Sequence, residues 1–339
     1  MKILYIHQNY SKSYTCLGET FLRELKKNSA LKVFAFKFLK ISTNKYLNKI
    51  LELTFINKIY FNVQNKNILN RIKIEKPDLV FIFKGTNVNA ETLLAIKSLD
   101  FKIKIATFNP DDPYNIQSCG ANIRNAISSN DYYFIWSKEL VKKIKEEGVH
   151  KTFYIPFATD PELIKFSASP KLSYDITFIG NVDTERIEWI TKIAEVIKIN
   201  KLKISLDVFG AGWREIEGVK MHSQVNGQEY FDVIRASKCN LNILRLQNKN
   251  ATNMRTFEVP SCGGIMYHEE SIEATLFFKK EDPVFFFKSE DDLIKKYLVN
   301  NDHIHMLKEK TEELSERFKK SPNTYADRIS NMIRLLEEK

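Results

Sequence analysis

Short apolar runs recur along this 339-residue chain, separated by stretches in which apolar side chains return at helical spacing. Residues 2–7 (KILYIH) and 78–83 (DLVFIF) are almost continuously apolar, the mark of strands buried on both faces. Residues 31–38, 102–108, 132–136 and 152–155 read as further strands. Between them, 18–27 sets Phe21, Leu22 and Leu25 on one helical face, and 90–99, 121–128 and 138–147 also read as helices. The stretch 43–74 is expected to be mostly helical with a break near 57–65. Residues 156–173 hold Pro156, Pro161 and Pro170 and little periodicity. After them the pattern restarts, with strands at 175–179, 203–209, 239–244 and 283–287, a short strand or loop at 219–225, and helices at 185–199 and 228–237. Two or three helices close the chain, starting from Asp291, His303 and Thr324. Strands alternating with helices imply parallel βαβ units.

Length turns this pattern into a domain plan. A chain of 339 residues exceeds one ordinary core. The expected α/β architecture is a first Rossmann-like domain at 1–160, a linker at 161–173, a second Rossmann-like domain at 174–320, and a C-terminal helix at 321–339 packing back on the first. Two doubly wound halves offer ligand sites at the carboxyl ends of their sheets, and a cleft between them is expected. With 43% hydrophobic and 28% charged residues the chain is globular. No run approaches the ~20 apolar residues a membrane helix needs. The opening strand has no signal-peptide apolar region before it, so a cytoplasmic location is expected. Cys16, Cys119, Cys239 and Cys262 show neither CxxC spacing nor an accompanying histidine cluster, which argues for reduced thiols rather than zinc or a disulfide framework.

Charge singles out one region. Of the formal +10, residues 31–76 carry ten basic side chains against two acidic ones, Glu52 and Glu75, a local balance of +8. Phe34, Phe36, Phe38, Leu39, Tyr46, Leu47, Ile50 and Leu51 are interleaved with the lysines. Such a surface suits anionic headgroups at the inner face of a membrane, or an anionic acceptor; the plain alternative is a solvated lysine face. Nucleic acid is not expected, because no recognisable binding motif accompanies the charge.

The richest chemistry lies at 253–267 (NMRTFEVPSCGGIMY), where a strand-like run, a short helix and Gly263-Gly264 follow one another. A helix start there would turn backbone N–H groups toward an anion, and Arg255 in its first turn would add a permanent charge suited to a diphosphate. Glu258, one turn on, could accept hydrogen bonds from a pair of sugar hydroxyls. The paired glycines permit close approach of a ligand or another backbone. An ordinary helix with a surface ion pair and a glycine cap fits the same residues. Gly180-Asn181 end another strand, with Arg186 shortly after, either near a phosphate or paired with Glu185 or Glu188. Neither GxGxxG nor GxxxxGK[ST] is present. In the first half, Asp111 and Asp112 follow a strand and can serve as general base toward an acceptor hydroxyl or simply form the Asp-Asp-Pro turn. His7 ends the first strand in the analogous place, and Lys84-Gly85-Thr86-Asn87 ends another.

The run Leu241-Asn242-Ile243, Asn253-Met254-Arg255-Thr256-Phe257-Glu258 and Ser261-Cys262-Gly263-Gly264 resembles the CgeB-like (spore-maturation type) glycosyltransferases of GT-B fold. Residues 175–181 with Arg186, the 277–293 segment, and Thr324-Tyr325 with Arg328 resemble the same pattern, as does the Asp111-Asp112-Pro113 loop. The likeness is specific over 175–328 and loose before it. It implies a transferase with a nucleotide-sugar donor and a glycan, lipid-linked or other surface-polymer acceptor, with no metal or other cofactor. Carried over, Arg255 neutralises the diphosphate, Glu258 holds ribose hydroxyls, Gly180 approaches the phosphates, and the loop around Val225 meets the base. One departure stands out: many retaining relatives carry a second Glu eight positions after the first, where this chain has Met266, with Glu269 and Glu270 further on.

Overall fold

The computed structural model describes residues 1–8, 17–39, 55–115, 119, 121–165, 171–320 and 322–338. Cys16, the first part of the expected basic helix and the middle of the expected linker lie outside them. The chain divides into two compact units, one of Met1–Pro156 with Ile329–Lys339 and one of Phe157–Arg328.

The first unit is built on six parallel strands, β1 (Lys2–Gln8), β2 (Lys32–Phe38), β3 (Leu79–Phe83), β4 (Lys104–Asn109), β5 (Tyr132–Ile135) and β6 (Thr152–Tyr154), in the order β2-β1-β3-β4-β5-β6. Helices α1 (Leu17–Lys27), α2 (Phe55–Glu75), α3 (Ala90–Leu99), α4 (Ala121–Ala126) and α5 (Lys138–Glu146) join them. Every residue of β3 is buried, as its unbroken apolar sequence requires. Ile68 and Ile72 of α2 and Leu93 and Ile96 of α3 pack against Leu4, Ile6, Val80, Ile82 and Ile105 of the sheet. The break expected near 57–65 does not occur, since α2 runs through it without interruption. Its polar residues are used in tertiary bonds instead: Gln64 exchanges two hydrogen bonds with the backbone of Leu39, and Asn65 donates to the carbonyl of Asn87 at 2.8 Å.

The second unit repeats the plan with β7 (Tyr174–Ile179), β8 (Leu206–Phe209), β9 (Lys220–His222), β10 (Ser237–Asn242), β11 (Met266–Glu269) and β12 (Val284–Phe287), in the order β12-β11-β10-β7-β8-β9. All pairings are parallel. The helices are α6 (Thr184–Ile199), α7 (Gln228–Ala236), α8 (Arg255–Ser261), α9 (Glu290–Asn301) and α10 (Ile304–Lys319), and α11 (Tyr325–Glu337) begins in this unit and continues into the residues that belong to the first. Counted from its own first strand this is the 3-2-1-4-5-6 order of a dinucleotide-type sheet, and the direction of winding reverses between β7 and β10. In such sheets the crevice beyond the carboxyl ends at the reversal is where ligands bind. Among the described residues no helix is long and apolar enough to cross a membrane.

Candidate functional site

At that reversal three arginines converge from separate elements. Arg186 stands in the first turn of α6, which follows β7; Arg245 lies just past β10; Arg255 opens α8. The guanidinium carbons of Arg186 and Arg255 lie 5.3 and 5.7 Å from the centre of the Phe178 ring. Asp183 caps α6 by accepting from the amide of Arg186 at 3.0 Å. Its carboxylate also pairs with Arg186 Nη1 at 3.1 Å and Arg245 Nε at 3.0 Å. Arg186 and Arg245 thus share the Asp183 carboxylate, and Arg255 joins Arg186 over the Phe178 ring.

Arg186 is almost wholly buried, at 4% exposure. Burial, with the positive charge of Arg255 next in weight, pushes its guanidinium down to about 9, and it stays protonated at neutral pH. The buried Nε atoms of both Arg186 and Arg255 have no hydrogen-bond partner among the described residues. A buried donor left unmatched costs about 1–3 kcal/mol, whereas cation–π contact with Phe178 returns up to about 2 kcal/mol per desolvated cation.

Gly180, the first residue after β7, makes room for this cluster: a β-carbon added there would lie 2.7 Å from Arg255 Nη2. Its carbonyl accepts from Trp213 Nε1 at 2.8 Å. Asn181 is a bracket between loops, its carbonyl accepting from Arg186 Nη1 at 2.8 Å and its Oδ1 from the amide of Ala211 at 3.1 Å.

The start of α8 is held by a buried polar network. Asn253 and Asn242 exchange side-chain hydrogen bonds at 2.7 and 3.1 Å, and Asn253 Oδ1 accepts from the amide of Thr256 at 3.1 Å. The Thr256 hydroxyl meets Nε2 of the fully buried His268 at 2.9 Å. The Thr256 amide is thus satisfied within the protein, and the cationic group at this helix start is the Arg255 side chain. Glu258 follows one turn later and accepts from the Tyr230 hydroxyl at 2.8 Å. Gly263, at φ 75, ends the helix, and Gly264 lets it pack on α7, since a β-carbon there would fall 2.6 Å from Ile234 Cγ2. Both glycines shape the backbone around Glu258. Val225 is buried in the loop between β9 and α7. Met266 is wholly buried in β11, while Glu269 at the strand's end accepts from the amide of Leu244 at 2.9 Å, fixing the loop that bears Arg245.

In the first unit Asp111 Oδ2 pairs with Lys84 Nζ at 2.6 Å. Asp112 Oδ1 accepts from the amide of Tyr114 at 2.9 Å, closing the turn. His7 is the penultimate residue of β1, which runs one residue past the expected strand end, and it is buried and stacked on Tyr5 at 5.2 Å. Burial lowers its imidazole below the usual range against the opposing pull of Glu19. With β3 between β1 and β4, the two strand ends stand about 10 Å apart. No hydrogen bond joins His7 to either aspartate among the described residues.

The sequence reading missed Arg245, Tyr230 and His268. Arg245 was detectable as a cation directly after a buried strand; Tyr230 and His268 act through contacts remote in sequence.

The sequence profile of the family described as glycosyl transferase-like matches residues 187–334. No curated protein sequence matches the chain. The structure is similar to that of a sucrose-phosphate synthase from Thermosynechococcus elongatus (TM-score 0.67, 12% identity, 99% of this chain and 98% of that one). It is also similar to HepE of Anabaena in complex with UDP-glucose (0.65, 11%, 99% of both chains), and to a UDP-GlcNAc 2-epimerase from Neisseria meningitidis bound to UDP-GlcNAc (0.60, 12%, 99% of both chains). At these identities the likeness concerns the fold. The chain thus has the GT-B fold of two Rossmann-like domains, and its residues 187–334 match the glycosyl transferase-like profile.

Proposed function

We propose that the protein is a nucleotide-sugar-dependent glycosyltransferase of the CgeB-like type, holding its donor on the second unit and its acceptor on the first. The observation that carries this reading is the convergence of Arg186, Arg245 and Arg255 at the winding reversal of the second sheet. The three cations face the two negative charges of a nucleotide-sugar diphosphate and the further charge that develops as it leaves, so the leaving group is stabilised by side chains and requires no metal. Glu258 accepts the ribose hydroxyls, and the loop at Val225 borders the base.

In the transfer step the acceptor oxygen forms a bond to the anomeric carbon as the bond to the diphosphate oxygen breaks. The electron pair departs with the diphosphate, and the acceptor proton passes to a carboxylate. Asp112 suits that last role better than Asp111, whose Oδ2 is already engaged by Lys84. His7, buried with its imidazole lowered, would be neutral there.

The acceptor is a glycan, a lipid-linked sugar or another surface polymer, met at the inner face of the membrane. Support comes from α2, whose solvent face presents Lys58, Lys66 and Lys73 with Ile59, Val63 and Ile74 and no acidic residue. That combination favours anionic headgroups.

The test is turnover of UDP-, GDP-, CDP- and dTDP-sugars by the wild type and by Arg255→Ala, with and without glycan acceptor. Transfer by the wild type alone is expected. Free nucleotide with an epimerised sugar and no acceptor dependence would identify a hydrolysing epimerase instead. Nucleotide binding without turnover, insensitive to loss of both aspartates, would identify a binding protein.

A further inference from the structure

The carboxylate of Glu258 is met from another helix. Tyr230, in the first turn of α7, donates its hydroxyl to Glu258 Oε2 at 2.8 Å, and Oε1 accepts no hydrogen bond from the described residues. A free carboxylate offers about four acceptor positions and turns about its last torsion. With one oxygen taken, the remaining one has a set direction.

The surroundings keep this arrangement stable. Burial pushes the Glu258 carboxyl toward its protonated form, and the Tyr230 hydrogen bond, then the charge of Arg255, oppose that. The Tyr230 phenol is itself pushed well above its usual range, first by burial and then by Glu258, so it remains a donor at any ordinary pH. Tyr325, at the start of α11, adds a second buried phenol whose ionisation Glu258 disfavours.

We propose that Tyr230 is a positioning residue of the donor site: by occupying Oε2 it aims Oε1 of Glu258 at the ribose, so that nucleoside diphosphates are told from their deoxyribose counterparts. This rests on the assignment of a nucleoside diphosphate to the second unit. A site built to accept from a particular hydroxyl rejects the ligand lacking it far better than an apolar pocket does, provided the acceptor is fixed.

The experiment measures dissociation constants of UDP, 2′-deoxy-UDP, GDP, 2′-deoxy-GDP and inorganic pyrophosphate by calorimetry, for the wild type, Tyr230→Phe and Glu258→Gln. The wild type is expected to prefer the ribonucleotide by at least tenfold. Loss of the hydrogen bond that fixes the Glu258 carboxyl should cut that preference by about tenfold in Tyr230→Phe. Pyrophosphate affinity should stay the same in Tyr230→Phe, because the arginines read it, and its retention in either variant shows that the variant folded. Glu258→Gln should lose the preference as well. A Tyr230→Phe variant keeping the wild-type preference overturns the role of Tyr230 and leaves the donor site standing. Wild-type binding without ribose preference overturns both Tyr230 and Glu258 as ribose readers. Failure of the wild type to bind any of the five overturns the nucleotide assignment beneath them.

Discussion

The guanidinium of Arg255 lies so close to Gly180 that a β-carbon on the glycine would fall 2.7 Å from Arg255 Nη2. Replacing Gly180 by Ala should therefore displace the end of that flexible side chain while leaving the strand in place. A second contact, 3.0 Å from Phe178 Cζ, presses on the ring beneath both guanidiniums. The expected result is at least a tenfold loss of nucleotide affinity, about 1.4 kcal/mol or more, with an unchanged circular dichroism spectrum.

Arg186 should show opposed effects on stability and binding. It is buried beside Arg255, its Nε lacks a partner among the described residues, and its guanidinium is pushed down to about 9. An apolar side chain of similar length there removes the burial cost and the repulsion with Arg255, while Asp183 keeps Arg245 as its partner. Arg186→Met should melt at or above the wild-type temperature without ligand, yet lose at least one hundredfold in nucleotide affinity. Unfolding of the free variant well below the wild type would show that Arg186 serves the fold.

The two aspartates should separate in a kinetic assay. Asp111 is tied to Lys84, and among the described residues the Asp112 side chain accepts one hydrogen bond, from the Tyr114 amide of its own turn. With Asp112 as the base, Asp112→Asn should lower kcat by about 10²–10⁴-fold, the usual range for general base catalysis, with little change in KM for the donor. Asp111→Asn should act mainly by releasing Lys84 and cost less. Equal losses in both variants would contradict the assignment.

His268 makes the stability of the second unit pH-dependent. Burial lowers its imidazole from 6.5 to about 4, so the folded form refuses a proton that the unfolded chain accepts. Above the unfolded value both forms are neutral and stability is complete. As pH falls from 6.5 toward 4, the proton uptake of the unfolded chain removes stability, on the order of 3 kcal/mol in all. The raised carboxyls of Glu258 and Glu269 act in the opposite sense over part of this range. The diagnostic is thus the difference between wild type and His268→Asn in urea unfolding at pH 7 and pH 4.5, which should narrow at the lower pH.

Much of this was readable in the chain itself. The continuous apolar run at 78–83 became β3, and the runs at 175–179 and 239–244 became β7 and β10, because strands buried on both faces leave little ambiguity. Gly180, Arg186 and Arg255 were legible because each directly follows such a strand or opens the next helix. The supposed break in α2 was misread because Gln64 and Asn65 resemble turn residues, yet they bond to segments 22 and 25 positions away. Tyr230 lay beyond reach for the same reason, being 28 positions from Glu258. Asn253, expected in the donor site, has its side-chain amide bonded to Asn242 and Thr256, contacts that its place in the sequence does not reveal.

Thermal unfolding of the wild type and Arg255→Ala against UDP, GDP, CDP and dTDP tests the central claim most directly. A nucleoside diphosphate at 100 times its Kd should stabilise the wild type by about 2.7 kcal/mol, and the same concentration should leave Arg255→Ala nearly unshifted. Equal shifts in both proteins, or no shift of the wild type with any of the four, would contradict a diphosphate site at the three arginines.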